Sequence, residues 1–217
     1  MKIIVTGCKG QLGTEIIKQL REGRSEIGPI PEKLQSATVI PVDLPELDIS
    51  NYKMVDDFIR RQRPDVIINC AGLTDVRACE EKPEEAYKIN AIGARNLAVA
   101  ARRIDAKLIQ ISTDDVFDGD DDAALCEFDD AHPTTMYGKS KYAGEKLVRE
   151  LTDKHVIVRS SWLYGVGSYD FVDRVLDNAK KDGKVVLPED EISSPTSADA
   201  LAGFIECLMH TREFGLY

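Results

Sequence analysis

The chain has 217 residues, a formal net charge of −10 and 43% hydrophobic residues. That size and apolar content fit one large domain, or one domain with a small appendage, around a single substantial core. The acidic balance argues against a nucleic-acid partner, because phosphate binding leaves a basic footprint, and no apolar run reaches the length of a membrane span.

The first stretch, Lys2 to Gly13, reads KIIVTGCKGQLG. Ile3, Ile4 and Val5 predict a short strand buried on both faces. Gly7, Gly10 and Gly13 follow, and the next residues place Ile16, Ile17 and Leu20 on one helical stripe. Strand, glycine turn and helix together suit a pyrophosphate. Glycine lets the backbone approach a ligand, and the helix start presents amides at the positive end of its dipole. The pattern is GxxGxxG, not the GxGxxG of the standard dinucleotide fingerprint; the alternative is a glycine turn that serves packing alone. The N-terminus enters this strand directly, so no signal peptide is expected.

Arg24 to Ser36 reads as a polar loop, and Thr38 to Val42 as a second strand ending in Asp43. In a dinucleotide fold an acidic residue at that point meets the adenosine ribose hydroxyls; as a turn aspartate before Leu44 and Pro45 it needs no ligand. No Arg or Lys follows closely to receive a 2′-phosphate, which leans toward NAD over NADP. Ser50 is a candidate cap for a helix that buries Val55, Phe58 and Ile59. Asp65 followed by VIINCA is a third, continuously apolar strand. Such strands separated by helices indicate a parallel sheet covered on both sides. Ala71, Gly72, Leu73 and Thr74 lie at its carboxyl end, the edge where open α/β sheets bind ligands. A helix starts near Pro83, and a stronger one runs from Asn90 to Arg103 with Ile92, Leu97, Ala100 and Ala101 available for burial.

Lys107 to Ile111 is a further strand, ending in Ser112, Thr113 and Asp114. The acidic loop from Asp118 to Asp122 lacks the calcium-loop spacing and reads as solvated. Tyr137 to Lys141 opens a helix that reaches about Glu150. His155 to Arg159 is a strand, Phe171 to Lys181 a helix with Phe171, Val175 and Leu176 on a stripe, and Val185 to Leu187 a short strand. The last helix starts near Thr196–Asp199, a capping-box spacing, and turns Leu201, Phe204, Ile205 and Leu208 inward. The five cysteines are odd in number and show no CxxC, as expected of reduced thiols in a cytoplasmic protein. The three scattered histidines suggest no metal centre.

Tyr137 and Lys141 stand four residues apart on a predicted helix and so share a face. A free tyrosine has a pKa near 10, too high for ready proton transfer at neutral pH. An ammonium held close favours the phenolate and lowers that value, which is what a general acid working near neutrality needs. Thr113, at the end of the preceding strand, is placed to reach the same oxygen and relay the proton. With a glycine turn upstream in one alternating βα chain, this predicts a reductase site with Tyr137, Lys141 and Thr113 as its catalytic residues.

Seven segments carry a wider resemblance: GCKGQLG (7–13), LDI (47–49), INCAGLTDV (68–76), STDDVFDG (112–119), MYGKSKYAGE (136–145), VRSSWLYG (158–165) and SSPTSADALA (193–202). Through them the chain resembles the extended short-chain dehydrogenase/reductases, and among these the dTDP-4-dehydrorhamnose reductase family. The resemblance implies a Rossmann-like, doubly wound parallel α/β sheet that binds NADPH or NADH, with a dTDP-sugar as substrate. It divides the chain into a dinucleotide-binding domain over 1–160 and a substrate-side segment over 161–217 whose elements return to the Rossmann core. It implies that Gln11, Leu12 and Gly13, with Gly7 and Gly10, cradle the pyrophosphate, and that Asp48 and Ile49 flank the adenine. Ala71, Gly72 and Leu73 would line the nicotinamide half. Tyr137 would protonate the sugar C4 oxygen, Lys141 would hold the nicotinamide ribose, and Thr113 would relay the proton. Thr74, Val76, Asp115, Val116 and Trp162 would face the sugar nucleotide.

The chain departs from the family at three points. Asp115 stands where the family usually has a tyrosine. Arg77 stands where it usually has an aspartate, and an Asp115–Arg77 pair would compensate. Gly215–Tyr217 resembles a point after which members normally continue, so the expectation is either a truncated chain or a short natural variant with a small substrate-side region. The family's dimer contacts involve that later part, which leaves a homodimer open. Two other functions share the fold: a cofactor-binding regulatory subunit resembling that of methionine adenosyltransferase, and a sugar-nucleotide epimerase or dehydratase.

Overall fold

The computed structural model describes residues 1–120, 124–166, 171–187 and 193–217, and of Phe171 the backbone only. The strands are β1 (Lys2–Thr6), β2 (Thr38–Val42), β3 (Val66–Asn69), β4 (Lys107–Ile111), β5 (His155–Val158) and β6 (Gly215–Leu216). The longer helices are α1 (Gln11–Glu22), α2 (Tyr52–Gln62), α3 (Ala94–Ile104), α4 (Met136–Leu151), α5 (Phe171–Asp182) and α6 (Ala198–Met209). The six strands form one sheet in the order β6-β5-β4-β3-β1-β2, and every neighbouring pair is parallel.

The apolar strands are buried on both faces because consecutive side chains point to opposite sides. Ile3, Val5, Ile68, Ile109 and Val156 join Ile16 and Leu20 of α1 and Leu201, Ile205 and Leu208 of α6 in one core. Ile4, Ile67, Leu108 and Ile157 join Val55 and Ile59 of α2, Leu97 and Ala101 of α3 and Val148 of α4 in the other. This two-sided cover is the doubly wound α/β arrangement. At the carboxyl ends of the strands a buried polar ladder is satisfied across the sheet. Thr6 donates to Asn69 at 2.7 Å, Asn69 donates to Gln110 at 2.8 Å, and Gln110 donates to the Ile111 carbonyl at 2.9 Å. The last part of the chain returns to this sheet, since α6 packs in the same core as α1 and β6 pairs with β5.

Several local expectations change. The stretch 24–36 contains a two-strand pair, Arg24–Ser25 with Gly28–Pro29, and a short helix, Glu32–Gln35. Asn51, not Ser50, caps α2, accepting from the Met54 amide at 3.2 Å. The predicted helix from Asn90 is a π-helix over Tyr87–Gly93 before it continues as α3, and Ile92 stays exposed on it. Residues 185–187 form no strand; instead Leu163–Tyr164 pairs with Thr196–Ser197. Ser197 caps α6, and Phe204 lies outward, its ring 6.0 Å edge-on from that of Tyr217. Asp121 and Asp122 of the acidic loop and the Phe171 side chain of the α5 stripe lie outside the described residues. No helix among the described residues is long and apolar enough to cross a membrane.

Candidate active site

The strand order reverses at β1: the chain moves from β1 out to β2, then crosses back so that β3 lies on the other side of β1. The carboxyl ends of strands at such a point open a crevice in which α/β sheets bind ligands. Gly7 sits there at a φ of 65°, and a β-carbon on it would meet the Ala71 nitrogen at 2.6 Å. A β-carbon on Gly13 would meet the Gly7 carbonyl at 2.3 Å. The turn is therefore folded tightly onto the end of β3, with the start of α1 at the crevice. Gly10, the N-cap, brings no side-chain acceptor, which suits a helix start whose amides serve an anionic ligand. This cradle, which any side chain would fill, fits the pyrophosphate of a dinucleotide. Leu12 is turned into the core at 5% exposure, so only its backbone can belong to the cradle.

At the end of β2, Asp43 accepts from the Lys9 amide at 3.1 Å and from the Leu44 amide at 2.8 Å. The carboxylate thus serves the turn and also stands at the end of β2. Lys9 places its ammonium on the Leu44 carbonyl at 2.8 Å. A cation does stand beside Asp43; it comes from the glycine turn, not from the residues that follow. Asp48 accepts from the Ser50 amide at 2.9 Å. Asn96 holds this bend by donating to the Ile49 carbonyl at 2.9 Å. The Ile49 side chain is buried.

On the opposite side, Asn90 clamps the loop after β3. Its amide oxygen accepts from the Leu73 nitrogen at 2.8 Å, and its amide nitrogen donates to the Leu73 carbonyl at 2.9 Å and to the Ser140 hydroxyl at 2.9 Å. Ser140 in turn donates to the Tyr137 carbonyl at 2.8 Å. Asn90 lies in the π-helix, a distortion common at functional sites, and it ties Ala71–Leu73 to α4. A β-carbon on Gly72 would stand 3.9 Å from Lys141 Nζ, so this loop and the lysine share one site.

Thr135 caps α4 by accepting from the Gly138 amide at 2.9 Å. Gly138 is needed because a β-carbon there would overlap the Asp115 carbonyl at 2.0 Å. That contact seats the turn after β4 against the first turn of α4 and brings Thr113 to Tyr137. Burial pushes the Tyr137 phenol up to about 12; the hydrogen bond with Thr113 pulls it down, and Asp115, Asp114 and Cys79 push it further up. The net direction is upward, opposite to the expected lowering, because desolvation outweighs the Thr113 hydrogen bond. Lys141 is buried, donates to the Ile111 carbonyl at 2.6 Å, and is pulled down to about 8 by burial against the upward pull of Glu145 and then Cys70. One of its three N–H donors is used in that bond. Thr113, Tyr137 and Lys141 are thus assembled at one edge of the sheet beside the glycine cradle.

The family profile described as RmlD substrate binding domain matches residues 1–217. The dTDP-4-dehydrorhamnose reductase of Aggregatibacter actinomycetemcomitans is 37% identical over 205 residues, which are 94% of this chain and 66% of that protein. This chain belongs to the dTDP-4-dehydrorhamnose reductase family. Among solved family structures, the Clostridium acetobutylicum reductase superposes with a TM-score of 0.92 at 41% identity, covering 100% of this chain and 73% of that one. The Bacillus anthracis reductase in complex with NADP gives 0.91 at 40% identity with the same coverage, 100% and 73%. The chain spans about two thirds of the length of the curated family members it matches, 66% and 68% for two of them.

Against the dTDP-4-dehydrorhamnose reductase pattern, the two substituted positions do not pair. Arg77 is exposed and bridges Glu81 at 3.1 Å. Asp115 accepts from the Thr135 hydroxyl at 3.3 Å, and its carboxyl is raised by burial first and by Asp114 second. Helical spacing explains the difference: Arg77 and Glu81 are four residues apart on one short helix. Of the other residues expected to face the sugar nucleotide, Thr74, Val76 and Trp162 lie at the surface, Trp162 at 39% exposure. Val116 is fully buried and supports the turn from beneath. Gln11 donates to the Gly165 carbonyl at 3.2 Å, joining the glycine turn to the segment after β5.

Sequence reasoning missed four polar residues that build this family site: Asn90, Ser112, Glu145 and Arg159. Glu145 had a signal, since it continues the four-residue spacing of Tyr137 and Lys141. The other three are recruited across 14 to 50 residues of sequence, and no local pattern marks them.

Proposed function

We propose that this protein reduces the C4 keto group of dTDP-4-dehydro-L-rhamnose to dTDP-L-rhamnose with NADPH or NADH. The observation that carries the reading is the Thr113–Tyr137–Lys141 group at the carboxyl edge of the sheet, beside a cradle shaped for a pyrophosphate. The names of the family members and the NADP held by one of them support it. Residues 1–160 serve the cofactor half and 161–217 the substrate side. Five free thiols accord with a cytoplasmic location. The acidic balance accords with no nucleic-acid partner.

Gly7, Gly10, Gln11, Leu12 and Gly13 hold the pyrophosphate through backbone amides, Asp43 and the Asp48–Ile49 bend receive the adenosine, and Ala71–Leu73 line the nicotinamide half. The reduced nicotinamide supplies a hydride to the carbonyl carbon. Tyr137 gives its O–H proton to the carbonyl oxygen. With its pKa pushed up to about 12, it is fully protonated at neutral pH and acts as a donor rather than as a pre-formed phenolate. The phenolate left behind is stabilised by the Thr113 hydroxyl and by the Lys141 ammonium, whose remaining N–H groups hold the ribose. Thr74, Val76, Asp115 and Trp162 present the surface that the sugar nucleotide meets.

The test is NADPH or NADH consumption with dTDP-4-dehydrorhamnose, expected to be one cofactor oxidised per sugar reduced. Turnover of the sugar without net oxidation would mark an epimerase and overturn the reading, as would no turnover at all. A pH profile sharpens it. Lys141 loses its charge as pH rises through about 8, while Tyr137 keeps its proton to about 12. The kcat/KM for the cofactor should therefore fall on the alkaline side from about pH 8. A profile flat to pH 10 would remove Lys141 from the role.

A further inference from the structure

Tyr137, Lys141 and Glu145 follow one another by single turns along one face of α4. Lys141 and Glu145 are 7% and 0% exposed. They are pinned to consecutive residues at the end of β4. Lys141 Nζ donates to the Ile111 carbonyl at 2.6 Å, and the Ser112 hydroxyl donates to Glu145 Oε1. From the end of β5, Arg159 donates from Nε to Oε1 at 3.0 Å and from Nη2 to Oε2 at 2.8 Å. Its guanidinium also lies 5.0 Å from the centre of the Phe117 ring, which holds it flat. A carboxyl group gripped by a two-pronged guanidinium and a hydroxyl is fixed in direction.

Stability alone does not explain this arrangement. A buried ion pair is often replaceable by packed apolar residues without loss. What sets this one apart is its place, one turn beyond the amine of the proton-transfer group. We propose that Glu145 is a positioning residue for Lys141: gripped by Arg159 and Ser112 one helical turn away, its carboxyl group favours a Lys141 ammonium held inside the sheet edge and available to Tyr137 and the cofactor. This rests on the reductase reading above, in which Lys141 works as a cation.

The other groups facing Lys141 do not supply a negative charge. Cys70, at the end of β3, has its thiol pushed up to about 12 by burial, and the Tyr137 phenol is also pushed up to about 12. Both are neutral at pH 7. Arg159, behind Glu145, is cationic. Against the burial that pulls Lys141 down, Glu145 is the foremost opposing influence.

The experiment is a 13C NMR titration of the full chain carrying lysine labelled at Cε, with the Lys141 signal assigned by Lys141→Arg. In the unmodified protein the signal should titrate near pH 8. In Glu145→Gln it should titrate about one pH unit lower, the scale of a lost neighbouring charge. The same change should lower kcat/KM for the cofactor about fivefold at pH 8 and hardly at pH 6. Glu145→Asp, which keeps the charge, should return the titration toward that of the unmodified protein. If Glu145→Gln does not fold because Arg159 is left unpaired, the double variant Glu145→Gln/Arg159→Gln is read against Arg159→Gln alone, so that only the carboxylate differs between the two. An unmoved Lys141 titration in a folded variant makes the bridge merely structural and overturns the proposal. The NMR reading needs no turnover, so a moved titration in a protein that fails to reduce the sugar would sink the reductase reading and leave the tuning of Lys141 intact.

Discussion

Helices α1 and α5 both carry an apolar stripe at helical spacing, yet the fold covers one and leaves the other largely open. Ile16, Ile17 and Leu20 of α1 are 0%, 7% and 6% exposed, sealed against the sheet and α6. Of the α5 stripe, Val175 is only partly buried and Leu176 keeps 49% exposure. A stripe tells which side of a helix is apolar; whether that side is buried depends on what the topology puts opposite. For α1 the partner is fixed by the parallel sheet and by a helix 180 residues downstream, joined to it where Gln19 donates to the Asp199 carbonyl.

The contrast can be broken by equivalent truncations. Ile16→Ala should destabilise the protein by about 2–5 kcal/mol in denaturant unfolding, since the site opens a cavity in a sealed core. Thr135→Ala removes the cap of α4 and should lose about 1 kcal/mol. It should also lower activity at unchanged cofactor affinity, because the first turn of that helix carries Tyr137. Leu176→Ala on α5 should lie within about 0.5 kcal/mol of the unmodified protein. A loss at Leu176 as large as that at Ile16 would mean that α5 is covered in solution, and the comparison would fail. Arg77→Ala should change stability by less than about 0.5 kcal/mol, as exposed ion pairs do.

The parallel sheet was legible because runs such as Ile3–Val5 and Val66–Ile68 are apolar without alternation, which only burial on both faces explains. The three catalytic candidates and the glycine turn were legible because each is a local pattern, and the structure gathers them at one edge. What was not legible is tertiary. The sign of the Tyr137 shift depends on how deeply the phenol is buried, which spacing cannot reveal. Asn90 acts through a π-helix that no residue pattern announces. Arg77 chose a neighbour on its own helix over the more distant Asp115. Phe204 fits the stripe of α6 yet lies beside Tyr217 at the surface, since the sheet beneath is already filled by Leu201, Ile205 and Leu208.

The central claim is that the Tyr137 hydroxyl delivers the proton. Tyr137→Phe keeps the ring and deletes only the donor, so the direct measurement is single-turnover reduction of dTDP-4-dehydrorhamnose by that variant beside cofactor affinity from fluorescence titration. The expected result is a rate at least about a hundredfold lower with cofactor affinity unchanged. Reduction at the unmodified rate would contradict the account.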